Sequence, residues 1–176
     1  MKVILDMAMT VNGIIARKNF NEDFLSEYNW EVFCKIANGI GCIVIGRRTH
    51  DIITTYENYT LDKIKNVKKI VISKNKSLKG TKDFFFVNSP KEAINKAKTF
   101  GFKEVLLAGG GKINSEFMKL GLVDEIFLNI NPVILGDGIR VIAESNFQYK
   151  LKLLEIKKLK EGIIRVHYKV LRWSIS

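Results

Sequence analysis

The fold is decided by the stretch Val105-Leu-Leu-Ala-Gly-Gly-Gly-Lys-Ile-Asn-Ser-Glu-Phe-Met118. Its apolar residues up to Ala108 predict a buried strand, and Ile113, Phe117 and Leu120 recur at the spacing of one helix face. The glycines between strand and helix let a ligand approach the backbone, and the first N–H groups of the helix are free to bind an anion. The pattern therefore predicts a phosphate site, although the same glycines also fit a plain tight turn from strand to helix.

Two familiar phosphate motifs do not fit these glycines. Where a P-loop has its first glycine the chain has Leu106, and Ile113 stands where that motif has Ser or Thr. The dinucleotide-binding fingerprint requires a glycine where the chain has Asn114. The stretch matches neither motif, so its ligand has to be inferred from the rest of the chain.

The composition predicts one globular domain spanning residues 1–176. Of the 176 residues, 47% are hydrophobic and 27% charged, as in ordinary soluble proteins. No apolar run approaches the ~18 residues of a membrane span, and Asp6 interrupts the N-terminal apolar run that a signal peptide would need. We expect a cytoplasmic protein with no membrane partner. Cys34 and Cys42 lack metal-ligand spacing and a paired framework, so we expect reduced thiols near the core and no metal.

The net charge of +11 suggests an anionic partner. The basic residues are mostly lysines spread over the whole chain, and neither an arginine-rich run nor an aromatic RNA-binding motif is present. We therefore expect no nucleic-acid partner, and keep a nucleic-acid binder only as a third alternative. A phosphorylated small ligand would need only a few of these lysines.

A second strand with a glycine and a helix start follows at Cys42-Ile-Val-Ile45, a fully apolar stretch typical of parallel sheets. Gly46, Arg47, Arg48 and Thr49 come directly after it. Guanidinium groups suit planar, bidentate contacts with phosphate. The alternative is a surface turn with solvated arginines.

The remaining pattern alternates strands and helices before changing character near the C-terminus. We predict further strands at residues 3–9, 69–72, 84–87, 103–108 and 126–130, and helices at 26–39, 91–100 and 111–120. Residues 10–16 and 132–138 are predicted turns, and residues 151–159 and 164–170 alternate as an antiparallel hairpin would. We predict an α/β domain whose mostly parallel sheet carries this hairpin at its edge, with a ligand crevice at the carboxyl ends of the strands.

Asp6 is unusual because it interrupts the first apolar strand. A carboxylate inside a central strand is costly unless it is paired or lines a site. The alternative is an edge strand or a position at the end of a strand.

Six motifs at predicted strand ends occur in a recognisable order: Met9-Thr-Val-Asn-Gly-Ile-Ile-Ala16, Ile45-Gly-Arg-Arg-Thr49, Ile72-Ser-Lys74, Gly109-Gly-Gly-Lys-Ile113, Leu122-Val-Asp-Glu125 and Pro132-Val-Ile-Leu-Gly-Asp-Gly138. Over essentially the whole chain this order resembles the dihydrofolate reductase-like superfamily. The resemblance is greatest to stand-alone proteins similar to the C-terminal reductase domain of riboflavin biosynthesis, RibD. It implies a three-layer α/β/α domain with a mixed, mostly parallel sheet of eight strands.

The resemblance also implies NADPH as the hydride donor. By position, Arg47, Arg48 and Thr49 would hold cofactor phosphates, and Ser73 and Lys74 would meet the adenosine 2′-phosphate. Residues 109–113 would take the pyrophosphate, with a Gly109–Gly110 peptide that is often cis in this family. Residues 11–15 would form the mobile loop over the nicotinamide. The full set of expected cofactor residues is Ala8, Asn12, Gly13, Ile14, Gly46, Arg47, Arg48, Thr49, Ser73, Lys74, Ala108, Gly109, Gly110, Gly111, Lys112 and Ile113.

The substrate side departs from the family patterns. Folate reductases carry a carboxylate where this chain has Asn29, and an amide cannot supply a proton at a tuned pKa. They also have an Arg in the segment 54–68, where this chain offers only lysines such as Lys63 and Lys65. Riboflavin-pathway reductases usually have Asp and Glu where this chain has Asn12 and Ala108.

We hypothesise that Asp6 replaces the missing carboxylate as proton donor. The family places the middle of the first strand beneath the nicotinamide and the substrate ring, and burial there would raise the pKa of Asp6. The rival acids are Asp23, Glu27 and Glu31. Asn129 is our candidate for a polar group that lines the substrate. We expect His50 on a helix surface and His167 in the hairpin, neither of them catalytic.

The resulting prediction is an NADPH-dependent reductase of a small nitrogen heterocycle. A riboflavin-pathway reductase of 5-amino-6-(5-phosphoribosylamino)uracil is preferred to a dihydrofolate reductase, because the latter would lack both its acid and its Arg. The alternative from another class is a non-catalytic NADPH-binding protein, which the loss of the usual carboxylates favours. A homodimer formed through the apolar C-terminal strands is the assembly that we consider.

Overall fold

The computed structural model describes residues 1–55, 61–75 and 77–171. Within these ranges the strands are β1 (Lys2–Thr10), β2 (Ile14–Ala16), β3 (Cys42–Gly46), β4 (Lys68–Ile72), β5 (Phe84–Val87), β6 (Glu104–Leu107), β7 (Glu125–Asn131), β8 (Ile139–Arg140), β9 (Lys150–Lys158) and β10 (Ile164–Leu171). The helices are α1 (Glu27–Ile40), α2 (Arg47–Thr55), α3 (Pro90–Thr99) and α4 (Gly111–Lys119). Eight strands form one sheet in the order β5-β4-β3-β6-β1-β7-β10-β9, and β2 pairs with β8.

Helices cover both faces of this sheet, because its central strands are apolar on both sides. Ala37 of α1 and Ile53 of α2 pack on one face, in the same cluster as Ile43. Ala97 of α3 and Phe117 of α4 pack on the other face. The predicted three-layer domain with a mostly parallel sheet is confirmed.

The carboxyl ends of six neighbouring strands lie along one edge of the sheet. Each strand of the series β5, β4, β3, β6, β1 and β7 is parallel to the next. The segments that follow them therefore emerge side by side, as in other open α/β sheets that bind ligands at this edge. This edge is where the predicted glycine motifs belong.

Asp6 lies in the middle of a central strand, so the edge-strand and strand-end alternatives are wrong. Strand β1 is hydrogen-bonded to β6 on one side and to β7 on the other. Asp6 is opposite Phe127 in the register of β1 with β7, and only 5% of its surface is exposed. A carboxylate in this position needs a partner or a function.

The predicted C-terminal hairpin is confirmed. Strand β10 pairs with β7 and β9 in antiparallel orientation, and β9 forms the outer edge of the sheet. The register between β9 and β10 shifts between His167 and Tyr168, which marks a bulge. All nine residues of β9 are exposed, so this strand has no covering layer among the described residues.

Two local predictions need correction. The predicted turn at residues 10–16 contains a short strand, β2, whose apolar side chains are buried and whose backbone pairs with β8. Helix α1 continues to Ile40, where Gly41 in a left-handed conformation ends it, and not to Gly39. Ser26 occupies the predicted N-cap position without a side-chain cap bond, and its hydroxyl instead accepts a hydrogen bond from Asn29 Nδ2 at 3.3 Å.

Both cysteines are free and buried, as the sequence predicts. Burial raises the pKa of the Cys42 thiol to about 12, so the reactive thiolate form is scarce at neutral pH. In the part of the chain that the structure describes, no helix combines the length and the apolar character needed to traverse a bilayer.

Candidate functional site

Two helix starts lie next to each other at the carboxyl edge of the sheet. The N–H of Gly46 donates to the C=O of Gly109 at 2.8 Å, which joins the end of β3 to the segment after β6. Helix α2 begins one residue after Gly46, and helix α4 begins two residues after Gly109. A Cβ at Gly110 would lie 3.7 Å from Thr49 Oγ1. The predicted neighbourhood of the two glycine-led helix starts is confirmed, and the Gly109–Gly110 peptide is cis.

Close packing explains two of the glycines. A Cβ at Gly46 would lie 2.8 Å from Ile113 Cγ1 of α4, so this position holds the two helix starts together. A Cβ at Gly111 would lie 2.1 Å from the carbonyl oxygen of Arg140, which no rearrangement of side chains can relieve. Asn114 then fixes the same segment, because its Nδ2 donates to the C=O of Val141 at 2.8 Å. The backbone between the two helix starts, at Gly46 and at residues 109–111, is thus closely packed, and we call it the glycine-lined groove.

The cations expected to bind phosphate differ in their contacts. Arg47 Nε lies 3.1 Å from Asp51 Oδ2, and both side chains are about half exposed. The guanidinium carbon of Arg48 lies 4.4 Å from the centre of the Phe20 ring and so faces the loop before α1. Lys74 follows β4 and is exposed, beside the buried Ser73. Lys112, in the first turn of α4, is also exposed.

The turn after β1 is tied to the loop after β7. Asn12 Nδ2 donates to the C=O of Leu135 at 2.6 Å, and Thr10 Oγ1 donates to Asn12 Oδ1 at 2.8 Å. The N–H of Ile14 donates to Thr10 Oγ1 at 3.0 Å. Asn12, Gly13 and Ile14 therefore lie at the carboxyl end of the central strand. The expected loop at residues 11–15 is in part strand β2, whose pairing with β8 anchors it.

A cleft of about 640 Å³ opens under α1 and α2 on the same edge of the sheet. Its wall combines an apolar majority of residues with several polar and acidic side chains, and small-molecule sites also combine apolar walls with polar groups that orient the ligand. Five residues expected from the sequence line it, namely Asp6, Ala8, Asn29, Thr49 and Ala108. Because Thr49 also starts α2, the cleft borders the glycine-lined groove.

Asp6 in this cleft forms an ion pair that the sequence did not predict. Arg165 Nη2 donates to Asp6 Oδ2 at 2.5 Å, and Arg165 Nη1 donates to Asp6 Oδ1 at 3.2 Å. Burial raises the pKa of Asp6, as hypothesised, and the hydrogen bond and charge of Arg165 oppose that rise. Each carboxylate oxygen keeps a second lone pair, which a proton or a ligand N–H group can use.

Asn129 is part of the same network. Its Oδ1 accepts a hydrogen bond from Arg165 Nη1 at 2.7 Å, and the residue is 3% exposed. Asn129 is opposite Ala8 in the register of β1 with β7 and shares Arg165 with Asp6, but it is not among the residues that line the cleft. Its role as a direct substrate contact stays a prediction.

The two histidines lie outside this network. His50 is only partly exposed, because its ring packs edge-on against Phe84 at 4.7 Å, which corrects the expectation of a surface residue. His167 is on the hairpin as predicted, stacked on Phe127 at 3.8 Å and 2.9 Å from Glu125 Oε2. The described residues contain no group of three or more His, Cys, Asp and Glu side chains arranged to hold a metal ion.

The site also fits the cofactor that the resemblance implies. The first N–H groups of a helix have no acceptors within it, and here two such helix starts adjoin at glycines. Exposed cations lie near the first of them, Arg47 at the start of α2 and Lys74 after the neighbouring strand β4. This donor set suits a ligand with several phosphates.

Fold and site together define a dihydrofolate reductase-like domain. The chain belongs to the family of the RibD C-terminal domain, whose model matches residues 1–165. It is 30% identical to the uncharacterized protein YyaP of Bacillus subtilis over 176 residues, which cover 95% of this chain and 94% of that protein.

Two solved structures illustrate the fold. A pyrimidine reductase-like protein of Corynebacterium diphtheriae is similar with a TM-score of 0.77 and 14% identity, over 97% of this chain and 92% of that one. Dihydrofolate reductase of Enterococcus faecalis, solved with NADP(H), is similar with a TM-score of 0.74 and 13% identity, over 96% of each chain. At these identities the likeness shows the fold alone.

Proposed function

We propose that this protein is an NADPH-dependent reductase of a small nitrogen heterocycle. The observation that carries the proposal is the 2.8 Å hydrogen bond from Gly46 N–H to the C=O of Gly109, which keeps two helix starts side by side at the mouth of a cleft. The family and the NADP(H) complex of the folate reductase neighbour support the same class. The proposed reaction fits the cytoplasmic location expected from the sequence.

The cofactor would be held by the groove. Arg47, Thr49 and the free N–H groups at the start of α4 would bind its phosphates, and Ser73 and Lys74 the 2′-phosphate. Ala8 and the turn at residues 12–14 would border the nicotinamide. When bound, NADPH supplies the hydride, and the protein supplies orientation and a proton.

Asp6 is the residue that we propose as the source of that proton. It is the buried carboxylate of the cleft wall, and burial raises its pKa toward the range in which a carboxylic acid can donate at neutral pH. Arg165 holds both of its oxygens and so fixes the carboxylate plane.

The preferred substrate type is the riboflavin-pathway pyrimidine, as in reduction of 5-amino-6-(5-phosphoribosylamino)uracil. The RibD family membership supports this choice. Dihydrofolate is the second candidate. It is less preferred because Asn29 stands in place of the acid that folate reductases use.

Two measurements test the proposed function. Titration of the protein with NADPH, followed by cofactor fluorescence, should show saturable binding. Oxidation of bound NADPH, followed by absorbance, should then occur with at least one pyrimidine or pterin from a substrate panel. Absence of NADPH binding would overturn the proposal.

A non-catalytic NADPH-binding protein is the second candidate function. The replacement of family carboxylates by Asn12, Asn29 and Ala108 favours it. Saturable NADPH binding without oxidation across the whole panel would support this alternative.

Lys74→Ala is expected to weaken NADPH binding about tenfold and to leave NADH binding unchanged. A lysine that contacts the 2′-phosphate contributes a charge-assisted hydrogen bond that NADH cannot form, and exposure limits its strength. The matched control is Lys98→Ala, an exposed lysine in the last turn of α3, at the end of that helix far from the carboxyl edge of the sheet. Equal losses of affinity for NADH and for NADPH would show that Lys74 does not contact the 2′-phosphate.

We also propose that a second copy of the chain covers the β9 edge. Leu151, Leu153 and Ile156 are 41%, 47% and 59% exposed, and the register places them opposite Val170, Tyr168 and Val166 on one face of the hairpin. Apolar side chains along an open edge strand are typical of an interface.

The double variant Leu153→Glu, Ile156→Glu is expected to convert a dimer into a monomer in light-scattering measurements, because it buries charge in the contact. Ile134→Glu is the control, since this residue is 72% exposed and lies outside β9. A wild-type protein that is monomeric at high concentration would contradict the proposal.

A further inference from the structure

One residue of the cleft wall has a buried hydrogen-bond acceptor that no described residue satisfies. Asn29 lines the cleft from α1 and is 5% exposed. Its Nδ2 donates to Asn131 Oδ1 at 2.8 Å and to Ser26 Oγ at 3.3 Å. Its Oδ1 is buried and accepts no hydrogen bond from the described part of the chain.

The network behind Asn29 fixes which of its amide atoms is the acceptor. Asn131 Nδ2 donates to two backbone carbonyls, those of Met9 and Asn129, both at 3.2 Å. Only an NH₂ group can make these two bonds, so Asn131 must turn its Oδ1 toward Asn29. Asn29 must therefore offer its own NH₂ to Asn131, which leaves its Oδ1 as the atom without a donor.

Such an atom points to a ligand. Buried polar side-chain atoms in native proteins are nearly always paired, and those that are not commonly mark functional sites. The neutral amide accepts a hydrogen bond without requiring a positive charge on the donor. A ring N–H group is the donor that a heterocycle bound in this cleft would provide.

The charges of the wall restrict the same ligand. Every ionisable side chain that lines the cleft is acidic, namely Asp6, Glu22, Asp23 and Glu27. The cations nearest to three of them are already paired, Arg165 with Asp6 at 2.5 Å, Arg17 with Asp23 at 2.7 Å and Lys63 with Glu27 at 3.7 Å. An anionic arm on the ligand would have to compete with these carboxylates for their cations.

We infer that the cleft binds an uncharged or cationic heterocycle that donates a ring N–H to Asn29 Oδ1 and carries no phosphate or carboxylate arm. This inference rests on the proposed function and narrows it. The inferred ligand has the pyrimidine or pterin ring of the proposed substrates, but it lacks the phosphate of the preferred riboflavin-pathway substrate.

The first test compares two ligands that differ only in one phosphate. The affinities of 5-amino-6-ribitylaminouracil and of its 5′-phosphate for the wild-type protein are measured by calorimetry, without cofactor and with NADP⁺. We expect the phosphate-free compound to bind about tenfold more tightly, because the phosphate would have to compete with the wall carboxylates for cations that are already paired. Tighter binding of the phosphate overturns the inference.

A second pair of ligands covers the other ring class. 6-Hydroxymethylpterin and pterin-6-carboxylate are of similar size and differ in charge, and the uncharged member is expected to bind more tightly. If NADPH binds and none of the four ring compounds does, the inference fails while the cofactor assignment stands. If a ring compound binds and NADPH does not, the proposed function fails instead.

The variant Asn29→Leu tests the acceptor. It keeps the approximate shape of the side chain and removes Oδ1, so it should weaken the phosphate-free ligand about tenfold and leave the affinity for NADPH unchanged. Asn38→Leu on the same helix is the matched control, since its amide bonds only to the carbonyls of Cys34 and Lys63. Ligand binding by Asn29→Leu equal to that of Asn38→Leu, with both proteins folded, overturns the role of Asn29.

Discussion

Asp6→Asn is expected to lower the turnover number of substrate reduction by about 10²–10⁴-fold, the usual contribution of general acid catalysis. The asparagine keeps the shape of the side chain and its single oxygen can still accept one hydrogen bond from Arg165, but its amide protons are not acidic enough to be donated. NADPH binding should change little, because Asp6 is not among the residues proposed to hold the cofactor phosphates, which lie in the glycine-lined groove. The measurement is steady-state oxidation of NADPH with the best substrate of the panel.

Glu31→Gln is the matched control for this substitution. Glu31 is another acid that the sequence offered as a rival, but it is exposed on α1 and does not line the cleft. Its variant is expected to turn over like the wild type. Full turnover by Asp6→Asn would remove Asp6 from the chemistry, and a large loss in Glu31→Gln would transfer the role to Glu31.

The pH dependence provides an independent signature. Because the pKa of folded Asp6 is raised, turnover should fall as the pH rises through that pKa and the proton donor is lost. The same shift affects stability, since the folded state binds this proton more tightly than the unfolded state. This contribution of Asp6 to the free energy of unfolding is present in acid. It is lost as the pH rises from 3.8, the ordinary pKa of an aspartic acid, through the raised pKa of folded Asp6. Both dependences should be absent from Asp6→Asn.

The neighbourhood of the two glycine-led helix starts could be predicted from the sequence because its signals are local. A strand, its glycine and the next helix start are contiguous in the chain, and parallel strands bring their carboxyl ends to one edge. The pairing of β3 with β6 was the only long-range fact required, and it places Gly46 against Gly109.

The cleft could be predicted only in part, because its decisive contacts join distant segments. Arg165 reaches Asp6 only because β10 returns antiparallel to β7, which sets Arg165 opposite Asn129. The alternation of β10 signals that Arg165 and His167 share a face, but not which face is buried. Likewise, the hydrogen bond that Asn29 of α1 donates to Asn131 at the end of β7 joins residues far apart in the chain and has no local sequence pattern.

Arg165→Met is expected to lower the free energy of unfolding at neutral pH by about 3–5 kcal/mol, the usual cost of leaving one member of a buried ion pair without its partner. The side chains of Arg165 and Asp6 are 13% and 5% exposed, so solvent replaces little of the lost interaction. Urea denaturation at several pH values is the measurement. The loss should be smaller in acid, where Asp6 becomes protonated and no buried charge remains.

Two further variants test whether the unpaired charge of Asp6 causes the loss of stability in Arg165→Met. The double variant Asp6→Asn, Arg165→Met should be more stable at neutral pH than Arg165→Met alone, because it removes the carboxylate that lost its partner. Lys2→Met breaks the more exposed pair with Glu125 and should cost no more than about 1 kcal/mol. If Arg165→Met were as stable as Lys2→Met, the pair of Asp6 and Arg165 would not be desolvated in solution.

Arg165 also holds the pKa of Asp6 down. Its removal should therefore move the decline of turnover to higher pH, which links the stability of the cleft to its chemistry.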